Sequence, residues 1–447
     1  MPDMRRRPAL VAALAATALV LAGCAGGATG AATAEGPTQA EVDEAMSTPT
    51  TLEFWSWVPD IENEIALFEK KYPEIKVNLS NQGGATAQYQ KLRTSVSSGD
   101  VPDVAQIEYS FLPSFTITKS VLDLGPYGFG DLSEDYAPSA WGQVATGEQV
   151  WGLPQDVGPT GQLYRADLFE KAGVEPPATW DEYPEAARAI KEKTGAYITD
   201  LPGNSFSPIL ALLWQAGARP FGYDGDKTVT IDFDSPEVKQ VIEFWDGLIQ
   251  DDLVATEPQL DDNWYQRTSR GEYASWLAAA WGPVFLQGTA ANTSGKWRAT
   301  ELPQWDASAP ASGNQGGSAL TVMAGSDNPI AASELVKFLN HDEAATNMFA
   351  TEQFLFPSLV ATQELPEFRD QKLPFYGDET VNDTFVGISE TVESDWQWLP
   401  FNDFASSSFK ETLGAAITER TDLNAGLDAW EEQLVSYAKQ QGFTVEQ

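Results

Sequence analysis

Short runs of β-branched and aromatic residues alternate along this chain with longer runs whose apolar residues recur every three or four positions. That rhythm restricts the fold more than any other feature. "TTLEFWSW" (50–57), "IKVNL" (75–79), "PDVAQIE" (102–108) and "SALTVMAG" (318–325) read as strands. Ile61, Ile65, Phe68 and Tyr72 share one helical face, with Asp60 as the expected cap, and Tyr89, Leu92 and Val96 mark a second helix. Thr179 and Glu182 have capping-box spacing ahead of a helix through Ile190. Ser235 and Pro236 open a helix carrying Val238, Val241, Ile242, Trp245, Leu248 and Ile249. Asn328 and Pro329 open another with Leu335, Val336 and Leu339, and the tail carries a stripe of Leu423, Leu427, Trp430, Leu434 and Tyr437. Strands that alternate with helices build an α/β architecture, in which ligands sit beyond the carboxyl ends of strands. The length allows two domains or one large one.

The inventory of reactive groups is thin. There is no G-x-G-x-x-G after a strand, no P-loop, no G-x-S-x-G and no H-E-x-x-H. The one histidine, His341, stands at an expected helix end, where it reads as a surface or capping residue without partners for a triad or a metal cluster. The one cysteine, Cys24, excludes an internal disulfide and a thiolate metal site. Neither a cofactor nor a metal is expected. With 65 Asp and Glu, chance carboxylate pairs are guaranteed, so no glycosidase-type pair can be assigned. Residues 1–23 carry three Arg and one Asp, a net +2, so removing them takes the formal charge from −38 to −40. Such acidity repels nucleic-acid phosphates, and no nucleic-acid partner is expected.

The chain begins with Arg5, Arg6 and Arg7 ahead of an apolar run from Ala9 to Ala22. That run falls short of the roughly 20 apolar residues that span a bilayer and suits a secretory signal. The tetrad Leu21-Ala22-Gly23-Cys24 resembles the lipobox of bacterial lipoproteins. The resemblance implies lipid attached to the Cys24 sulfur, cleavage before it, and residues 1–23 as a lipoprotein signal peptide. Residues 24–50, rich in Ala, Gly, Thr and Glu, then read as a flexible linker. The expected location is the extracytoplasmic face of the cell membrane, tethered rather than spanning.

"LEFWSW", "FEKKYPEIKVNL", "SSGDVPDVAQIE", "VWGLPQDVGPTGQLYRADLFEKAGVEPPATWDEY", "GEYASWLAAAWGP" and "SALTVMAG" follow one another in an order that closely resembles the carbohydrate-binding lipoproteins of ABC importers. These are extracellular solute-binding proteins related to maltose-binding protein. The resemblance implies a two-lobed periplasmic-binding-protein-like fold of type II, with discontinuous α/β lobes joined by hinge crossings near residues 157–161, 316–318 and 356–359. The first lobe is then 51–157 with 318–357, and the second 158–317 with 358–447. It also implies a monomer that takes a sugar between its lobes and passes it to an ABC permease, without catalysis. "WSWVPD" departs from the polar-charged turn of maltose-binding protein, so maltose is not implied. Two other classes stay open: a binder of a non-sugar solute such as a polyamine, and a secreted glycoside hydrolase.

A pyranose presents an apolar C–H face and a rim of hydroxyls, so it calls for an aromatic platform beside polar acceptors. Trp57, after the first strand, is the expected platform, while Trp55 is as readily core. Glu108 and Tyr109 follow the third strand as hydroxyl acceptor and aromatic partner, or as a plain turn. Asp156 lies where the family's chain crosses lobes and is the first choice among the acids, with turn capping as its rival; Gly158, Pro159 and Gly161 supply hinge freedom. Asn204 is either a turn residue or a ligand, and Trp281 occupies the place where relatives contact ligand, whereas Trp276 and Trp430 read as core. Gly316 and Gly317 permit close backbone approach to a ligand. One of Trp396 and Trp398, in a non-periodic polar stretch, is expected to stack.

Overall fold

The computed structural model describes residues 36–353 and 355–447. The signal segment, Cys24 and the start of the expected linker lie outside the described residues. Part of that linker is ordered, contrary to expectation: Gln39–Ser47 is a helix. Thr38 and Glu41 close a capping box, the Thr38 N–H donating to the Glu41 carboxylate at 2.7 Å. Met46 is the one buried side chain of this helix, which packs on the helix Pro329–His341. A single apolar anchor leaves no periodic signal in the sequence.

One sheet has five strands in the order Ile75–Ser80, Thr50–Trp55, Val104–Glu108, Ser318–Val322 and Leu153–Asp156. The first three are parallel, and Ser318–Val322 runs against both of its neighbours. A second, antiparallel sheet places Thr160–Arg165 between Ser275–Ala279 and Trp297–Thr300. The parallel pair Thr199–Asp200 and Val254–Ala255 continues it through a bridge between Tyr197 and Tyr273. One apolar cluster, with Leu52, Phe54, Val104, Leu320 and Leu335, belongs to the first sheet. Another, with Trp180, Trp214, Trp245 and Trp430, fills the second lobe. A third, with Tyr109, Val157, Trp276 and Phe356, runs between them.

The three segments where crossings are expected lie side by side between the sheets. The Val157 N–H donates to the Phe356 carbonyl at 3.2 Å, the Gln315 N–H to the Gly158 carbonyl at 2.8 Å and the Thr160 N–H to the Gly313 carbonyl at 2.9 Å. The Asn314 Oδ1 accepts from the Gly158 N–H at 2.8 Å. Space, rather than freedom of φ, explains the glycine at 158: an added Cβ would lie 2.0 Å from the Gln315 carbonyl oxygen. Gly161 is likewise crowded, by Ile388, Phe385 and the Thr300 carbonyl.

The helical stripes hold where the apolar period is clean. All six residues expected on the inner face of Pro236–Gln250 are buried, and the Ser235 hydroxyl accepts from the Val238 N–H. Two caps differ. Asp60 sits in the left-handed region at φ 58° and offers its carbonyl to the Asn63 N–H, so Glu62–Lys71 begins without a side-chain cap. Glu182 accepts from the N–H groups of Ala178 and Thr179, but the helix begins after it, at Tyr183, so only half of the expected box forms.

Crowding at the crossing predicts opposite signs for two glycine substitutions. Gly158→Ala should destabilise the protein in chemical denaturation by about 1–3 kcal/mol, as overpacking does. Gly247→Ala, in an exposed stretch of Pro236–Gln250 with open space around an added Cβ, should stabilise it by about 0.5–1 kcal/mol. Equal effects at the two positions would refute the account of the crossing.

Candidate functional site

The carboxyl ends of Thr50–Trp55, Val104–Glu108 and Leu153–Asp156 meet at one edge of the first sheet, and the reversed strand Ser318–Val322 starts there. Register sets Ser318 opposite both Glu108 and Asp156. A polar chain runs along this edge. The Trp57 N–H and the Ser56 hydroxyl donate to Gln106 Oε1 at 3.1 and 2.8 Å, and Gln106 Nε2 donates to Ser318 Oγ at 2.9 Å. Ser318 then donates to Asp156 Oδ1 twice, from its hydroxyl at 2.5 Å and its N–H at 3.0 Å. The Glu108 N–H donates to the Tyr89 hydroxyl at 2.8 Å, and that hydroxyl donates to Glu108 Oε2 at 3.4 Å. Tyr89 in turn meets the Trp57 ring edge-on, with centroids 6.1 Å apart.

Trp281 reaches the same place from the second sheet. It follows Ser275–Ala279, whose end is tied to the crossing by the Ala280 N–H donating to the Pro159 carbonyl. The Trp281 Nε1 donates to the Gln315 carbonyl at 2.9 Å, beside Gly316, whose φ of 82° favours glycine. Trp57, Glu108, Asp156, Trp281 and Gly316 all keep partial exposure.

Both acids are electrostatically costly. Burial pushes the Glu108 carboxyl up to about 7, the nearby Asp156 adds to the rise, and the Tyr89 hydroxyl opposes it. Burial likewise pushes Asp156 up to about 6, against the two hydrogen bonds from Ser318. Among the described residues no ion pair reaches either acid, and Glu108 Oε1 and Asp156 Oδ2 accept no protein hydrogen bond. The site therefore holds open acceptors beside indole and phenol rings, an arrangement made for hydroxyl or amino groups on a molecule with apolar faces.

Other candidates have different surroundings. Tyr109 is 2% exposed; its hydroxyl donates to the Asp156 carbonyl, and its ring occupies the space a Cβ on Gly317 would need. The close approach at Gly317 is thus to Tyr109, at φ 87°. Asn204 exchanges two hydrogen bonds with the Gln259 backbone and fastens a loop. Trp396 is 2% exposed and stacks on Trp214 at 4.9 Å and 7°, which leaves it no face for a sugar. Trp398 is also buried, and its Nε1 donates to Gln143 Oε1. A turn-rich sequence concealed these two indoles because neighbours from other elements bury them. Sequence reasoning missed Tyr89, Gln106 and Ser318. A glutamine buried inside the apolar strand Val104–Glu108 was the signal available for Gln106.

The raised acids set a pH dependence. A carboxyl whose folded pKa lies above its unfolded value favours folding while protonated, and that advantage is lost as pH rises through the folded pKa. The window for Glu108 runs from the ordinary glutamate value of 4.5 to about 7. Relative to the unsubstituted protein, Glu108→Gln should gain unfolding stability between pH 5 and pH 8. A stability difference that stays constant across that range would contradict the burial of this acid.

The profile of the bacterial extracellular solute-binding protein family matches residues 50–346. An arabinooligosaccharide-binding protein of Halalkalibacterium halodurans is 24% identical over 385 residues, covering 81% of this chain and 85% of that protein. A lactose-binding protein of Rhizobium radiobacter is 28% identical over 359 residues, covering 74% and 80%. Among solved structures, the ABC transporter associated binding protein of B. animalis subsp. lactis in complex with β-1,6-galactobiose superposes with a TM-score of 0.77 at 32% identity, covering 89% of this chain and 99% of that one. Two α/β lobes joined by hinge crossings agree with this likeness. The chain belongs to the bacterial extracellular solute-binding protein family.

Proposed function

We propose that the protein is a receptor that captures a sugar, in particular an oligosaccharide, between its lobes and delivers it to the permease of an ABC importer. The observation that carries this reading is the convergence of two partly exposed indoles, Trp57 and Trp281, on the open acceptors of Glu108 and Asp156. Indoles cover the C–H faces of pyranose rings, and the carboxylates take hydroxyls that would each cost about 1–3 kcal/mol if left unpaired. The sugars named for the two relatives and bound in the solved structure support the ligand class.

We take the lobes as 51–157 with 318–357 and 158–317 with 358–447, hinged at the three hydrogen-bonded crossings. A sugar touching both lobes favours the closed form by the difference in its affinity for the two forms. The protein acts as a monomer and turns nothing over. Lipid on Cys24 holds it at the extracytoplasmic face near its permease; the lipobox and the signal-like segment before it support that anchor.

Calorimetry against a glycan panel including arabino-oligosaccharides, lactose and galactobiose tests the ligand class. Trp57→Ala and Trp281→Ala should each weaken the best ligand by about 2 kcal/mol or more, roughly thirtyfold, as loss of a binding hot spot does. Unchanged affinity in both folded variants would remove the site; no binding across the panel would remove the function. Cys24→Ser should abolish incorporation of labelled lipid and release the protein or leave it unprocessed. Continued labelling would disprove the anchor.

A further inference from the structure

Behind Trp281 lies an uninterrupted row of packed indoles that ends on a buried acid. The Trp281 ring meets Trp276 at 5.8 Å and 66°, and Trp276 meets Trp264 at 5.0 Å and 67°. Both inner rings are 1% exposed. The Trp264 Nε1 donates to Asp200 Oδ2 at 2.8 Å, and Gln259 Nε2 donates to the same oxygen at 3.0 Å. We propose that Asp200 is a positioning residue for the sugar site, fixing the plane of Trp281 through Trp264 and Trp276; the proposal rests on Trp281 as a sugar contact.

The geometry leaves the row little slack. An added Cβ on Gly282 would stand 2.9 Å from the Ala278 Cβ and 3.1 Å from the Trp276 ring, so the helix Gly282–Thr289 that Trp281 opens starts close against the strand Ser275–Ala279 and its indole. Trp264 is held at both ends, by Asp200 at its ring nitrogen and by the Asp261 cap that accepts its N–H at 2.7 Å. The loop leading into the helix Asp262–Arg270, which carries Trp264, includes Leu260 at φ 65°, a left-handed conformation that costs a bulky side chain, so the loop needs restraint. Gln259 supplies it, with its side chain on Asp200 and its backbone on Asn204. Edge-to-face contacts define the tilt of each ring, and fixing the last therefore biases the first. Among the described residues Asp200 has no basic partner and is expensive here, since burial pushes it up to about 7; in return one of its oxygens accepts from both the Trp264 indole and the Gln259 amide.

The test reads the Trp281 ring directly. Protein labelled with 5-fluorotryptophan is examined by fluorine NMR without ligand, the Trp281 resonance being assigned from its loss in Trp281→Phe. Asp200→Ala and Trp264→Phe should each shift or broaden that resonance and weaken the panel's best glycan about tenfold. Asp200→Asn, whose amide oxygen still accepts from both donors, should keep the resonance and most of the affinity. Trp430→Phe, in the separate core of the second lobe, should lower stability alone. An unmoved Trp281 resonance in folded Trp264→Phe overturns the proposal, even where Asp200→Ala fails to fold. If no glycan binds the unsubstituted protein, the functional reading fails, while the resonance still decides whether Asp200 sets the Trp281 ring.

Discussion

The three-stranded crossing constrains everything on either side of it. Its hydrogen bonds join residues far apart in sequence, Val157 with Phe356 and Gly158 with Gln315, and they close only because position 158 lacks a side chain. Asp156 and Gly316 sit on it, and Trp281 hydrogen-bonds to it through Gln315. The candidate site thus adjoins this layer at two of its residues and is hydrogen-bonded to it at a third. Neighbouring strands hydrogen-bonded in one layer share a bending motion, whereas a single linker would permit tumbling.

How much of this was legible depended on whether a residue's role is set by its own element or by a distant one. The helix Pro236–Gln250 could be read completely, because its cap and its six buried residues follow from local periodicity. The first-sheet edge was legible too, since parallel strands bring their carboxyl ends together whatever lies around them. Trp396 defeated the reading because Trp214, on a helix far away in sequence, covers its ring. Tyr89 reads as one more apolar residue on a helical stripe, and its ring is buried as that predicts. Its hydroxyl nevertheless meets Glu108, a contact no periodicity encodes. Asn204 kept the turn-forming character its sequence suggested, but its partner Gln259 lies 55 residues away.

The site combines acids with hydrophobic walls, and that combination is unfavourable for the folded protein by itself. Desolvation raises Glu108 and Asp156 together, and Ser318 offsets only part of the cost at Asp156. Groups left with open acceptors are where a bound molecule gains most, since it supplies the donors that water provided before. Local destabilisation at a site supported by a well-packed scaffold is the usual compromise between fold and function.

The reversed strand has a consequence for how the molecule is made. Ser318–Val322 lies between Val104–Glu108 and Leu153–Asp156, so Leu153–Asp156 has no neighbour in the first sheet until the chain has reached residue 322. Val104–Glu108 keeps one open edge until then. Topologies dominated by such distant pairings fold slowly. The polar chain from Gln106 through Ser318 to Asp156 can therefore be assembled only after most of the chain has been made.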